Sequence, residues 1–301
     1  MFLSIFSTVL LPLVLIAGLA YALARFAGVK PRPLSQAAFY LFNPALAFVS
    51  LASTELAPDI LGRLMLFKVL VFLVMLPLAQ WTAGRLKLPG AAHSAFVLGV
   101  LFANSGNYGI SVNEYAFGQQ GLALAVICYV TDNMLANSMG VYIAARGRAT
   151  MRRSLLAVFR NPALYTVLLG LATHQFGWQV PLPIWRGAES LSRAAVPTML
   201  TVLGMQLAAL PSARDHWRTV SVAAFLRLII APAIALGLVI PLGLTGLPRQ
   251  VAIVETAVPT AVLTSIIASQ YETEPGLMAS IVMFTSLASL VTVTALLTWI
   301  S

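Results

Sequence analysis

Of the 301 residues, 59% are hydrophobic and only 9% are charged, which excludes a water-soluble globular domain and indicates a multi-pass membrane protein. At roughly 20 apolar residues per crossing, this length is expected to form about ten helices in one integral membrane domain, without a separate soluble one. The net charge of +9 would suggest nucleic acid in a soluble chain, but here the basic residues lie between apolar runs, where cytoplasmic retention of positive loops explains them and no nucleic-acid partner is expected.

The first predicted span covers 3–24 and precedes a basic loop with Arg25, Lys30 and Arg32. Ala20-Tyr21-Ala22 mimics a signal-peptidase site, yet the segment has no positive leader and its apolar run is long, so it reads as a spanning helix. The second span, 35–53, carries Asn43-Pro44; the third, 64–83, carries Pro77 and closes on Arg85 and Lys87. The fourth, 92–117, contains the polar island Asn104-Ser105-Gly106-Asn107-Tyr108-Gly109, followed by Ser111, Asn113 and Glu114. Lipid does not tolerate unsatisfied backbone, so the island must be buried in protein or line a cavity, and a broken helix is the simplest reading. Such a break leaves N-terminal amides suited to an anion and C-terminal carbonyls suited to a cation.

After Gln119-Gln120-Gly121 a fifth span, 122–145, bears Asp132-Asn133 and Asn137. A basic segment with Arg146, Arg148, Arg152, Arg153 and Arg160 then divides the chain. Spans six to eight are predicted at 162–176, 188–210 and 220–240, with Pro197 in the seventh and Arg227 and Pro232 in the eighth. The ninth, 251–269, is interrupted at Glu255-Thr256-Ala257-Val258-Pro259-Thr260, where proline removes a backbone donor. The tenth covers 276–300.

The punctuation repeats: Pro12 and Pro162, Pro44 and Pro197, Pro77 and Pro232, and Gly106 and Pro259 are separated by 150 to 155 positions. A first repeat over 1–150 and a second over 151–301 follow, inverted because each holds an odd number of spans. Twelve basic residues fall after odd-numbered spans (Arg214 and Arg218 completing those above and Lys87), against Arg63, Lys68, Arg186, Arg193 and Arg249 opposite. Both termini are therefore expected outside the cytoplasm, in an inner-membrane protein.

Candidate substrate contacts are Asn104, Ser105, Gly106, Asn107 and Tyr108 at the first break, Val258, Pro259 and Thr260 at the second, and Asn133 and Asn137 on the fifth span. Glu255 and Asp132, ionisable groups within spans, are the candidates for exchanging a proton or holding a sodium ion, with Ser111, Asn113, Glu114 and Thr256 as further oxygen donors. Each has a structural alternative: Glu255 and Glu114 as interfacial groups, Asp132 within a hydrogen-bond network. Arg227 reads either as an anion partner or as a snorkelling side chain. Cys128 is the sole cysteine, and the three histidines fall at span ends, so no cofactor and no metal other than sodium is expected.

These residues carry a family likeness. The 104–109 segment, Gly121-Leu122-Ala123-Leu124-Ala125, Asp132-Asn133 with Gly140-Val141-Tyr142, Arg160-Asn161-Pro162, Ala195-Val196-Pro197 with Leu203-Gly204, and Val258-Pro259-Thr260-Ala261-Val262 resemble, in order, the auxin efflux carrier family, including its bacterial members. The resemblance implies ten helices in two inverted five-helix repeats. Spans one, two, six and seven would form a scaffold, and three to five with eight to ten a transport domain whose fourth and ninth helices cross at their breaks. It also implies organic-anion substrates and a homodimer built on the scaffold. Plant members carry a long hydrophilic loop between spans five and six, where this chain has about fifteen residues, so auxin itself is not carried over as substrate. Glu255-Thr256 is similar, more distantly, to the sodium-binding segment of bile acid:sodium symporters.

The expected function is secondary transport of a small organic anion, a carboxylate above all, by alternating access. The alternatives are a channel or sensor on the same fold, or an intramembrane hydrolase using Ser111 or Asp132. The hydrolase is disfavoured because a serine nucleophile would want a histidine at membrane depth and an aspartyl site a second aspartate. No nucleotide-binding motif is present.

Overall fold

The computed structural model describes residues 1–54, 57–145, 161–211 and 216–300. The basic segment with Arg146, Arg148, Arg152, Arg153 and Arg160, and Arg214, lie outside the described residues, so the orientation rests on their sequence alone.

The described chain is helical: α1 Phe2–Ala27, α2 Arg32–Ser53, α3 Pro58–Arg85, α4 Gly90–Leu101, α5 Ser105–Ala144, α6 Pro162–Gln175, α7 Leu182–Ala208, α8 Trp217–Val239, α9 Gly246–Ala257, α10 Leu263–Gln270 and α11 Pro275–Ile300. Among the described residues, α1, α2, α5, α8, α11 and all but the first residue of α3 are long and apolar enough to cross a membrane. α5 is two helices joined at Gly118, whose non-helical φ of 66° and ψ of −158° turn the chain between the predicted fourth and fifth spans.

Proline shapes several helices locally. Wide π-type turns at Phe6–Leu10, Ala38–Phe42 and Leu226–Ile230 end two residues before Pro12, Pro44 and Pro232. Lacking an N–H and crowding the carbonyl four residues back, each proline favours a widened preceding turn.

Two groups of helices pack mainly among themselves. In one, α7 lies along α1 and α2, and α6 along α2; in the other, α3, α4, α5, α8, α9 and α11 surround one another. Gly204 lets α7 approach the α1 backbone at Ala17, where a side chain would collide with the carbonyl. The groups meet chiefly where α7 and α2 touch α5 and where α1 touches α11.

Both predicted interruptions are present, at 102–104 and 258–262. The first lies slightly ahead of the glycines expected to make it. The Asn104 carbonyl accepts from the N–H groups of Tyr108 (3.2 Å) and Gly109 (2.9 Å), so the chain is already helical at Gly106. The glycines serve close contact instead: a side chain at Gly106 would strike the Tyr129 ring at 2.8 Å, and one at Gly109 the Glu255 carboxylate at 2.6 Å.

Candidate substrate site at the paired helix breaks

An interruption inside lipid exposes carbonyls at the end of one half-helix and amides at the start of the next. Here the two breaks satisfy part of that demand on each other. Ala103 and Thr260 form an antiparallel bridge, the Asn104 N–H donates to the Pro259 carbonyl (2.8 Å), and the Ala261 N–H donates to the Phe102 carbonyl (2.9 Å). The Thr260 hydroxyl donates to the Gly99 carbonyl (2.7 Å), and its N–H donates to the Thr285 hydroxyl (3.2 Å).

The carbonyl ends of α4 and α9 are met by cations. Arg227, 2% exposed, donates from Nε to the Val258 carbonyl (3.2 Å), from Nη1 to those of Val100 (3.3 Å) and Leu101 (3.4 Å), and from Nη2 to that of Thr256. Lys68, 3% exposed, donates to the Glu255 carbonyl (3.3 Å) and pairs with Asp132 at 2.8 Å. The sequence reading, which treated Arg227 as an anion partner or a snorkelling group and counted Lys68 among loop charges, is corrected on both. Lys68 sits within the predicted third span, and that was the available signal: a cation among apolar neighbours needs a carboxylate, and Asp132 is a mid-span candidate.

Among the described residues neither amide end takes a side-chain cap hydrogen bond, although Asp132 accepts from the Ser105 hydroxyl in the first turn of α5. The first turns of α5 and α10 face a cavity of about 200 Å³, lined there by Ser105, Gly106, Asn107, Ala261, Leu263 and Thr264. Ser35, Asn43, Tyr129, Asp132, Asn133 and Gln206 complete its polar wall. Asn104 also lines it, its side-chain Nδ2 buried and without a hydrogen-bond partner, as is Oδ1 of Asn43. Asn107 donates to Gln206 Oε1 and Gln206 to the Ser35 hydroxyl, each at 3.4 Å, linking α5, α7 and α2 across the cavity.

Of the predicted contacts, Asn104, Ser105, Gly106, Asn107 and Asn133 are thus brought together on one cavity, with the coupling candidate Asp132. Val258, Pro259 and Thr260 do not line it: the Val258 carbonyl accepts from Arg227, and Pro259 and Thr260 are taken up by the bridge and its flanking bonds; Ala261, Leu263, Thr264 and Ile266 just beyond line the cavity instead. Tyr108 faces away and shares a 3.1 Å hydrogen bond with Ser289 of α11. Asn137 stands behind Asn133, donating to its Oδ1 at 2.6 Å, and Asn161, the cap of α6, donates to the same atom at 2.9 Å.

The ion-coupling candidates divide. Ser105 donates a short hydrogen bond to Asp132 Oδ2. Glu255 is wholly buried, with Oε1 accepting from Asn113 (2.9 Å) and Oε2 unpartnered. The Ser111 and Thr256 hydroxyls donate to carbonyls of their own helices, those of Asn107 (3.3 Å) and Ala252 (2.9 Å). Glu114 is remote from these groups, accepting from Gln119 (3.3 Å) near the bend. No group of three or more histidine, cysteine, aspartate or glutamate side chains able to hold a metal occurs among the described residues.

Residues 146–297 match the family model described as membrane transport protein. An uncharacterized transporter of Methanocaldococcus jannaschii is 28% identical over 89% of this chain and 88% of its own length. A second archaeal transporter, from Methanothermobacter thermautotrophicus, is 27% identical over 82% of each chain. Auxin efflux carrier component 3a of Oryza sativa subsp. japonica is 30% identical over 44% of this chain and 22% of its own length.

Proposed function

Because the chain belongs to the membrane transport protein family, we propose that it is a secondary transporter of a small organic anion, a carboxylate, working by alternating access. The observation that carries this reading is the sorting of four helix ends at the paired breaks. Both carbonyl ends are neutralised from within by Arg227 and Lys68, while both amide ends open on the cavity. Each amide end carries roughly half a positive charge, which favours an anion in the cavity. Asn104 and Asn107 line the same wall, the Asn107 amide as a further donor.

We read the ten spans as two inverted repeats. Helices α1, α2, α6 and α7 form the scaffold, and the remaining helices a transport domain in which the two broken helices cross at mid-membrane. The basic segments put both termini outside the cytoplasm, in the cell's inner membrane. Ser35 and Gln206 adjoin the cytoplasmic ends of α2 and α7 in that orientation, so the cavity is the inward-facing one. A homodimer through the scaffold would cover the outward apolar side of α1, where Leu15 and Leu19 are exposed.

For coupling, the geometry supports a proton over sodium. Lys68 already occupies Asp132, Asn113 turns its amide donor and not its oxygen toward Glu255, and the Ser111 and Thr256 hydroxyls are engaged in their own helices. Asp132 reaches the cavity whereas Glu255 does not, which makes Asp132 the exchanging group.

A thermal-shift screen of purified protein against small carboxylates tests the site. A carboxylate that stabilises wild type is expected to lose that effect in Asn107→Ala with the fold retained. An undiminished shift counts against the site.

A further inference from the structure

We propose that Arg227 is a resident cation at the junction of the two carbonyl ends, filling the position where a carrier of this plan would otherwise bind a coupling metal ion. The inference rests on the carrier reading above and concerns its ion requirement.

Unwound carbonyls and half-helix C-termini are the usual ligands of a coupling sodium ion at broken membrane helices. In this protein four such carbonyls, from Val100, Leu101, Thr256 and Val258, converge on the single guanidinium of Arg227. Two come from the end of α4 and two from the end of α9 and the residue beyond it, so one side chain on α8 closes both breaks. No ion pair within 4 Å involves Arg227 among the described residues; its direct partners are backbone carbonyls, with the charges of Asp132 and Glu255 acting at longer range. Arginine holds its charge under all physiological conditions and offers five donors in a fixed fork, so it never leaves and needs no ion gradient to be loaded.

Beside it lies a void of about 10 Å³, lined by Arg227, Lys68, Asp132 and Thr256 among others, about the space of one water. Removing the guanidinium would merge this void with the vacated carbonyl cage. The resulting space has the ligand chemistry of a small monovalent cation. Truncation at Arg227 is therefore expected to create an ion dependence that the native protein lacks.

The experiment is thermal unfolding of purified protein, without substrate, in choline, sodium, potassium or millimolar guanidinium chloride at matched ionic strength. Wild type is expected to unfold at the same temperature in sodium and in choline. Arg227→Ala is expected to unfold earlier in choline and to recover a large part of the loss in sodium or guanidinium. Arg227→Lys is expected to fall between wild type and Arg227→Met, which keeps bulk without charge. Selective stabilisation of wild type by sodium overturns the inference, and that measurement needs no variant to fold. So does equal stability of Arg227→Met and Arg227→Lys, or a deficit in Arg227→Ala that no cation relieves. Because none of these readouts involves a carboxylate, a failed carrier reading shows up separately, as absent carboxylate binding with the cation responses intact.

Discussion

Lys68 Nζ stands 2.8 Å from Asp132 Oδ2 and ties α3 to α5 at the wall of the cavity. Lys68 is 3% exposed and Asp132 16%, so removing the lysine alone strands a largely buried carboxylate. Lys68→Met is expected to cost about 3 kcal/mol, the low end for a broken buried pair because Asp132 keeps some access to the cavity. The double variant Lys68→Met/Asp132→Leu is expected to be more stable than Lys68→Met alone. Thermal unfolding of the three proteins checks this, and equal destabilisation of single and double variants contradicts it.

Gly109 supports the Glu255 carboxylate directly. An added methyl group would stand 2.6 Å from both carboxylate oxygens, inside any allowed contact. Gly109→Ala is expected to destabilise by about 1–3 kcal/mol, the range for overpacking a filled interior. Gly62→Ala, with nothing within 4 Å, is the control and is expected to change little. Matching unfolding temperatures for the two variants would argue that Glu255 is elsewhere.

Ala103 and Thr260 oppose each other in the bridge as a non-hydrogen-bonded pair, since the bonds run from Asn104 to Pro259 and from Ala261 to Phe102. Such pairs have Cα atoms about 4.5 Å apart, within disulfide range. In a Cys128→Ala background, Ala103→Cys/Thr260→Cys is expected to lose both free thiols on oxidation, read by mass spectrometry after alkylation. Two thiols that remain free under an oxidant that closes a control pair would mean the breaks do not meet.

Asp132 and Glu255 differ in their access to the cavity, which gives them different expected phenotypes. Asp132→Asn is expected to abolish the response of uptake to a pH gradient. Glu255→Gln, which keeps an oxygen for Asn113, is expected to retain that response. Proteoliposome uptake with and without the gradient measures both, and the reverse pattern would assign the proton to Glu255.

The sequence was most readable where lipid imposes an all-or-none rule. Asparagines, serine and glycines at 104–109 and a proline at 259 inside apolar runs can only mean interrupted helices, and both interruptions exist. What could not be read was which group answers which helix end. Lys68 resembles any loop cation in a charge count, because only the packing of α3 on α5 brings Asp132 to it. Arg227 meets its partners through backbone carbonyls, which have no sequence signature. Likewise Val258, Pro259 and Thr260 mark the second break correctly, yet Arg227 and the bridge engage them and the residues that follow line the cavity.

The carrier reading stands on an anion held by the open amide ends beside Asn104. Counterflow of a labelled carboxylate, chosen as the strongest stabiliser in the thermal-shift screen, tests it in proteoliposomes of wild type and Asn104→Asp. That substitution exchanges a buried donor for a negative charge at the cavity wall, and a loss of at least about tenfold in affinity is expected, roughly 1.4 kcal/mol or more. The account predicts transient accumulation of label against its gradient in wild type and none in Asn104→Asp. Equal counterflow in both proteins would contradict the site, and carboxylate flux without counterflow in wild type would make the protein a channel.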